Sequence, residues 1–194
     1  MTKQPFTAML TLAALALGGC ALDPKTASPP EIAANTDYRQ NPQRQQHWKG
    51  PEIINRRYRS LFYGYDTVYS RLAAQREANG ETSYQILIDV FYGDRNKRDY
   101  SQVKLANGSV LPVHTREHIY MQCDFFNTLV YACLFRDRAS IDLSPAELQA
   151  GLASGLNLQL GSASADFDPF TVPANYFAGF VQAVEHPETA NKED

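Results

Sequence analysis

Tyr84-Gln85-Ile86-Leu87-Ile88-Asp89-Val90-Phe91-Tyr92 is the stretch on which the fold turns. It is aromatic, aliphatic and β-branched, with polar residues only at Gln85 and Asp89, and Gly93-Asp94 stops it. Such a run packs well on a pleated surface, so it predicts a strand. Upstream, Tyr63 to Ala73 admits two readings. Val68, Leu72 and Arg76 recur at helical spacing, whereas Tyr63, Tyr65 and an Asn79-Gly80 turn suit a hairpin with the next strand. We read it as strand.

Downstream, Val103-Lys104-Leu105 and Val110-Leu111 flank Asn107-Gly108, a strong hairpin signal. Ile119–Phe125 and Leu129–Phe135 are apolar at alternate and intervening positions, as expected of central strands covered on both faces, and Arg138–Leu143 continues as a half-exposed strand. Ser144-Pro145-Ala146-Glu147 supplies an N-cap, a proline in the first turn and a capping-box glutamate, for a short helix ending at Gly155. Leu156–Leu160 alternates as a strand, and Phe170-Thr171-Val172 is another. Pro173 then leads into a helix with Phe177, Phe180, Val181 and Val184 on one face. Seven or so strands at hairpin spacing, with two short helices near the C-terminus, predict a mainly β fold: an antiparallel sandwich or a barrel-like domain.

The two ends read differently from this body. Phe6 to Leu17 is an apolar run preceded by Lys3 and followed by Leu17-Gly18-Gly19-Cys20. It is shorter than the roughly 20 apolar residues that span a bilayer, and it fits the core of an export signal. The first twenty residues resemble bacterial lipoprotein precursors, whose lipobox reads Leu, two small residues, Cys. The resemblance implies cleavage between Gly19 and Cys20, a diacylglycerol on the Cys20 sulfur and acylation of the new amino terminus. One acyl chain holds a protein marginally and several hold it firmly. In such lipoproteins an Asp after the cysteine favours inner-membrane retention. Ala21 stands here, which implies the outer membrane, with the domain facing the periplasm. Residues 20–50 contain Pro24, Pro29-Pro30, Asn41-Pro42 and a Gln-rich run and read as a flexible tether spanning ~30 Å. The globular domain is expected at 51–185 and a charged, frayed tail at 186–194.

Removal of residues 1–19 moves the formal charge from −3 to −4, so nothing marks the chain as a nucleic-acid binder. About 175 residues remain, enough for one domain with a real core.

Candidate chemistry is sparse. Cys123 and Cys133 are the thiols left after lipidation, and a hairpin centred on Thr128 sets them opposite each other, at or near disulfide distance. An oxidising compartment favours a bond, and two buried free thiols are the alternative. His114-Thr115-Arg116-Glu117-His118 matches the His-x-x-Glu-His pattern of inverzincin metalloproteases, which needs a helix to bring both imidazoles to one zinc. The flanks read as strand, where residues four apart lie ~13 Å from each other, so the pattern predicts no metal site. Arg57, Arg59, Tyr63 and Tyr65 could grip an anionic glycan or lipid phosphate, although alternating Arg and Tyr more often marks a strand with one wet face. Asp94 to Asp99 reads as a solvated charged turn, and Asp142, Asp166 and Asp168 fit no calcium loop. Ser101, Ser109 and Ser144 lack the setting of a nucleophile, and no cofactor is expected.

These features predict a non-enzymatic accessory lipoprotein of the envelope. Its membrane contact is through the lipid on Cys20, and its β-domain holds an envelope protein partner. A cell-wall glycan or small-ligand module is the second expectation and a zinc hydrolase the third.

Overall fold

The computed structural model describes residues 22–61, 64–127, 130–162 and 166–192. In chain order the elements are α1 (Pro29–Ala34), β1 (Asp37–Gln40), β2 (Gln46–Lys49), β3 (Ile53–Ser60), β4 (Gly64–Arg76), β5 (Thr82–Asp94), β6 (Gln102–Leu105) and β7 (Val110–Pro112). Then come β8 (His114–Asn127), β9 (Val130–Leu143), α2 (Pro145–Ser154), β10 (Leu156–Gly161), β11 (Asp166–Val172), α3 (Ala174–Glu185), a 3-10 turn at Pro187–Thr189 and β12 (Asn191–Lys192).

The strands form two sheets, and the architecture is a sandwich rather than a closed barrel. The larger sheet runs β12-β1-β2-β4-β5-β9-β8, with β3 also paired to β4, and the smaller runs β11-β10-β6-β7. Every pairing is antiparallel except β1 with β12. Alternation along β5 explains why the larger sheet has two unlike faces. Ile86, Ile88, Val90 and Tyr92 are buried on the inner face, and Gln85, Leu87, Asp89 and Phe91 lie on the outer face. The inner face packs against the smaller sheet (Val103, Leu158, Leu160, Phe170) and against α3 (Phe177, Phe180, Val184), in one continuous core.

The β4–β5 hairpin turns at Gly80, whose φ of +89° a side chain would strain. Helix α2 begins as read from its motif: Ser144 Oγ accepts from Glu147 N at 3.3 Å and Ser144 N donates to Glu147 Oε2 at 2.9 Å. It stops at Gly155, which has φ +73°.

Three expectations need correction. Residues 22–50 are not a tether. Asp23 opens a turn, α1 packs closely on α3, β1 and β2 join the larger sheet, and Ile32, Ala33 and Trp48 are fully buried core residues. Polar composition misled because these short elements satisfy their backbones at a sheet edge and need few apolar side chains. Residues 186–192 of the expected tail are structured as well, since Asn191 N donates to Thr36 O at 2.9 Å and β12 pairs with β1. Finally, β8 is an edge strand rather than a central one, and three register shifts interrupt its pairing with β9. The outer faces of both strands are wet, with Met121 and Leu134 exposed.

Candidate functional site

The segment expected to be a solvated turn, Asp94 to Asp99, buries an arginine. Arg98 is 4% exposed, and its Nη1 lies 2.8 Å from Asp66 Oδ2 on β4 and 2.8 Å from Asp168 Oδ2 on β11. The Tyr100 hydroxyl donates to the same Asp168 oxygen at 2.5 Å. The Arg98 amide donates to Tyr92 Oη at 2.9 Å, and that hydroxyl donates to Asp137 Oδ2 at 2.8 Å. Asp137 also holds His118 Nδ1. The guanidinium stacks over the Tyr92 ring, 4.4 Å from its centroid. Two sheets are therefore joined by one cation between two carboxyl groups.

Burial, reinforced by the charge of Asp168, pushes the Asp66 carboxyl up to about 8. Burial raises Asp168 as well, against the hydrogen bond from Tyr100. Asp66 thus keeps its proton at neutral pH, and the cluster avoids two bare anions in a dry interior. Tyr92 and Tyr100 are driven upward by burial and stay protonated donors. Asp66, Arg98 and Asp168 are all buried, so the arrangement holds the sheets together and offers no face to a substrate. In the contact of His118 with Asp137, Asp137 is buried and His118 stands at the rim. The four surface depressions described lie elsewhere.

The residues singled out from sequence are dispersed. Cys123 and Cys133 are opposite each other in β8 and β9 and form a disulfide. His114 reaches Asp142 at an exposed position, Glu117 accepts from Arg138 at 2.8 Å, and His118 turns to Asp137. Among the described residues, no three His, Cys, Asp or Glu side chains are grouped to hold a metal ion. Arg57 pairs in register with Asp66, and Tyr58 with Tyr65, so Arg57 and Tyr65 project to opposite faces of the hairpin. Arg59 Nη1 meets Asp94 Oδ2 at 3.2 Å and Asp66 Oδ2 at 3.5 Å, beside the buried cluster. Cys20 and Tyr63 lie outside the described residues.

The outer face of the larger sheet carries a feature that sequence reading missed. In the row Lys49–Ala73–Gln85 the central side chain is a methyl group, which leaves a hollow of about 210 Å³. Lys49 and His47 form one wall and Arg116 the other, with Gln75 and Ser83 at the end. Arg116 donates to Gln85 Oε1 at 2.9 Å and Ser140 Oγ at 3.2 Å, both neutral, so its charge is not cancelled by these bonds. A second hollow of about 180 Å³ shares Leu87 and Arg116, and a third of about 220 Å³ shares His47 and Lys49. Together they make a trough across the strands. Each hollow is smaller than the roughly 300–1,000 Å³ of an ordinary ligand pocket, which suits an extended ligand that places one group in each. The signal was present in the sequence only as cations at positions 49 and 116, on strands whose order the sequence does not reveal.

Comparison with protein-family models, curated proteins and solved structures finds no match to this chain. Among the described residues, no helix is long and apolar enough to cross a membrane.

Proposed function

We propose that the chain is a lipid-anchored accessory protein of the cell envelope. It is exported, cut before Cys20 and held on the periplasmic side of the outer membrane, and its β-sandwich serves as a non-enzymatic module for a protein partner. The carrying observation is the outer-face hollow between Lys49 and Arg116, whose lining residues include no carboxylate although the chain as a whole is acidic. A partner that presents carboxylates gains charge complementarity there, which governs specificity and encounter rate.

The test is a photo-cross-linking residue at position 85 in the trough, with one at exposed position 150 on α2 as control. One envelope protein should be captured at 85 and not at 150, and Lys49→Glu/Arg116→Glu should remove it. Equal capture at both positions, or capture that survives the double reversal, sinks the reading.

The amide and hydroxyl lining at Gln75, Gln85 and Ser83 favours a second reading, an acidic cell-wall glycan in the same trough. Purified peptidoglycan should then sediment the wild-type protein and not the double reversal.

A further inference from the structure

The fold begins almost at the lipidation site. Leu22 already packs against the core, and the next residues form a turn in which Thr26 and Ala27 amides donate to Asp23 O at 3.1 and 2.9 Å. Lys25 Nζ then donates to the backbone carbonyl of Ile54 at 2.7 Å and fixes the turn to the start of β3. Leu22, Lys25, Glu52 and Ile54 line one depression there. Only Ala21 separates Cys20 from Leu22, a reach of about 7 Å at full extension. Acyl chains on Cys20 would therefore hold the start of β3 against the headgroups.

β3 itself is suited to that position. Apart from its pairing with β4 it is largely open, with Ile54, Arg56, Arg57 and Tyr58 exposed and Ile53 alone fully buried. No acidic residue lies between Ile53 and Gly64, while Arg56, Arg57 and Arg59 do. At the far end, Tyr58 and Tyr65 pack edge to face at 5.3 Å, both more than half exposed, and Leu61 is 91% exposed. The separation from Ile54 to Leu61 is about 23 Å along a strand.

We propose that β3, with Lys25, is a membrane-contact edge that rests on anionic phospholipid headgroups beside the lipid on Cys20. Arg56, on the same face of the hairpin as Tyr58 and Tyr65, meets the phosphates, and Tyr58, Tyr65 and Leu61 sit at the interface, where tyrosines concentrate. An acyl anchor and a basic patch are the two signals that stable attachment needs. The proposal rests on the lipoprotein reading above, but it commits the edge to a lipid surface rather than to a protein.

The test uses the full mature protein purified from bacterial envelopes, with an intact mass taken on the same sample. After incorporation into nanodiscs of neutral phosphatidylcholine, or of the same lipid with phosphatidylglycerol added, amide exchange is followed across 53–61. Exchange there should slow about fivefold or more with the anionic lipid and stay unchanged across 156–160. Arg56→Glu should remove most of the slowing without moving the thermal midpoint. Equal exchange in both discs overturns the proposal. Slowing that requires an added envelope protein assigns the edge to a protein and overturns it too. A mass without lipid removes the anchor reading separately. The edge is then decided by sedimentation with phosphatidylglycerol vesicles, where equal pelleting of wild type and Arg56→Glu overturns it.

Discussion

Arginine is used in opposite ways on the two faces of the larger sheet. On the inner face, Arg98 is sealed between Asp66 and Asp168 and touches almost no water. On the outer face, Arg136 donates to Asp89 through Nε at 2.8 Å and Nη2 at 2.5 Å, and Arg138 reaches Glu117 at 2.8 Å, with side chains a quarter to a half exposed. The pairing chemistry is the same and the dielectric is not. A buried pair has lost its hydration, so removal of one partner strands the other, whereas an exposed pair falls back on water.

The comparison breaks most visibly at Arg98. Arg98→Met should cost about 3–5 kcal/mol in urea unfolding, because Asp168 is left without its cation. Adding Asp66→Asn and Asp168→Asn should restore part of it. A loss below about 1 kcal/mol would mean that the cluster does not tie the sheets together. Next in size is the disulfide, which closes a separation of 10 residues. Cys123→Ala/Cys133→Ala should lower stability by about 2–3 kcal/mol, and reductant should then have no further effect on the variant.

The pH dependence sharpens the same contrast without changing the inner arginine. The folded value of Asp66, about 8, exceeds its ordinary 3.8, so between these limits the fold holds a proton that the unfolded chain releases. Its contribution is complete below about pH 4 and is lost as pH rises through 8. The thermal midpoint should therefore fall between about pH 6 and 9, and Asp66→Asn should flatten that fall. A midpoint that rises over the range contradicts a protonated Asp66. The smallest effect belongs to the outer face: Arg138→Ala should cost under about 1 kcal/mol, and a double-mutant cycle with Glu117→Ala should give a coupling of only a few tenths.

Much of the body was legible because its signals are local. Asn79-Gly80, Asn107-Gly108 and the Ser144-Pro145-Glu147 motif each determine a turn or a cap within a few residues, and the short separation of two apolar runs likewise pairs β8 with β9 and brings Cys123 opposite Cys133. What escaped is non-local. Arg98 and Asp168 are 70 residues apart, and each alone looks like a surface charge. Lys49 and Arg116 face each other only because β2, β4, β5, β9 and β8 stand in that order. Ile32 and Trp48 carried little weight among prolines and glutamines, although their burial is what draws residues 22–50 into the fold.

The irregular pairing of β8 bears on behaviour at high local concentration. A free edge of 14 residues is long enough to recruit a strand from a neighbouring copy and start a growing stack. Molecules confined to one leaflet would meet edge to edge far more often than in solution. The register shifts at Thr115/Glu117, Tyr120/Gln122 and Phe125/Asn127 break the spacing of the free amides and carbonyls before any incoming strand finds more than a few in phase. Were the chain held in one leaflet by the proposed lipid on Cys20, those bulges would work against edge-to-edge stacking of its copies.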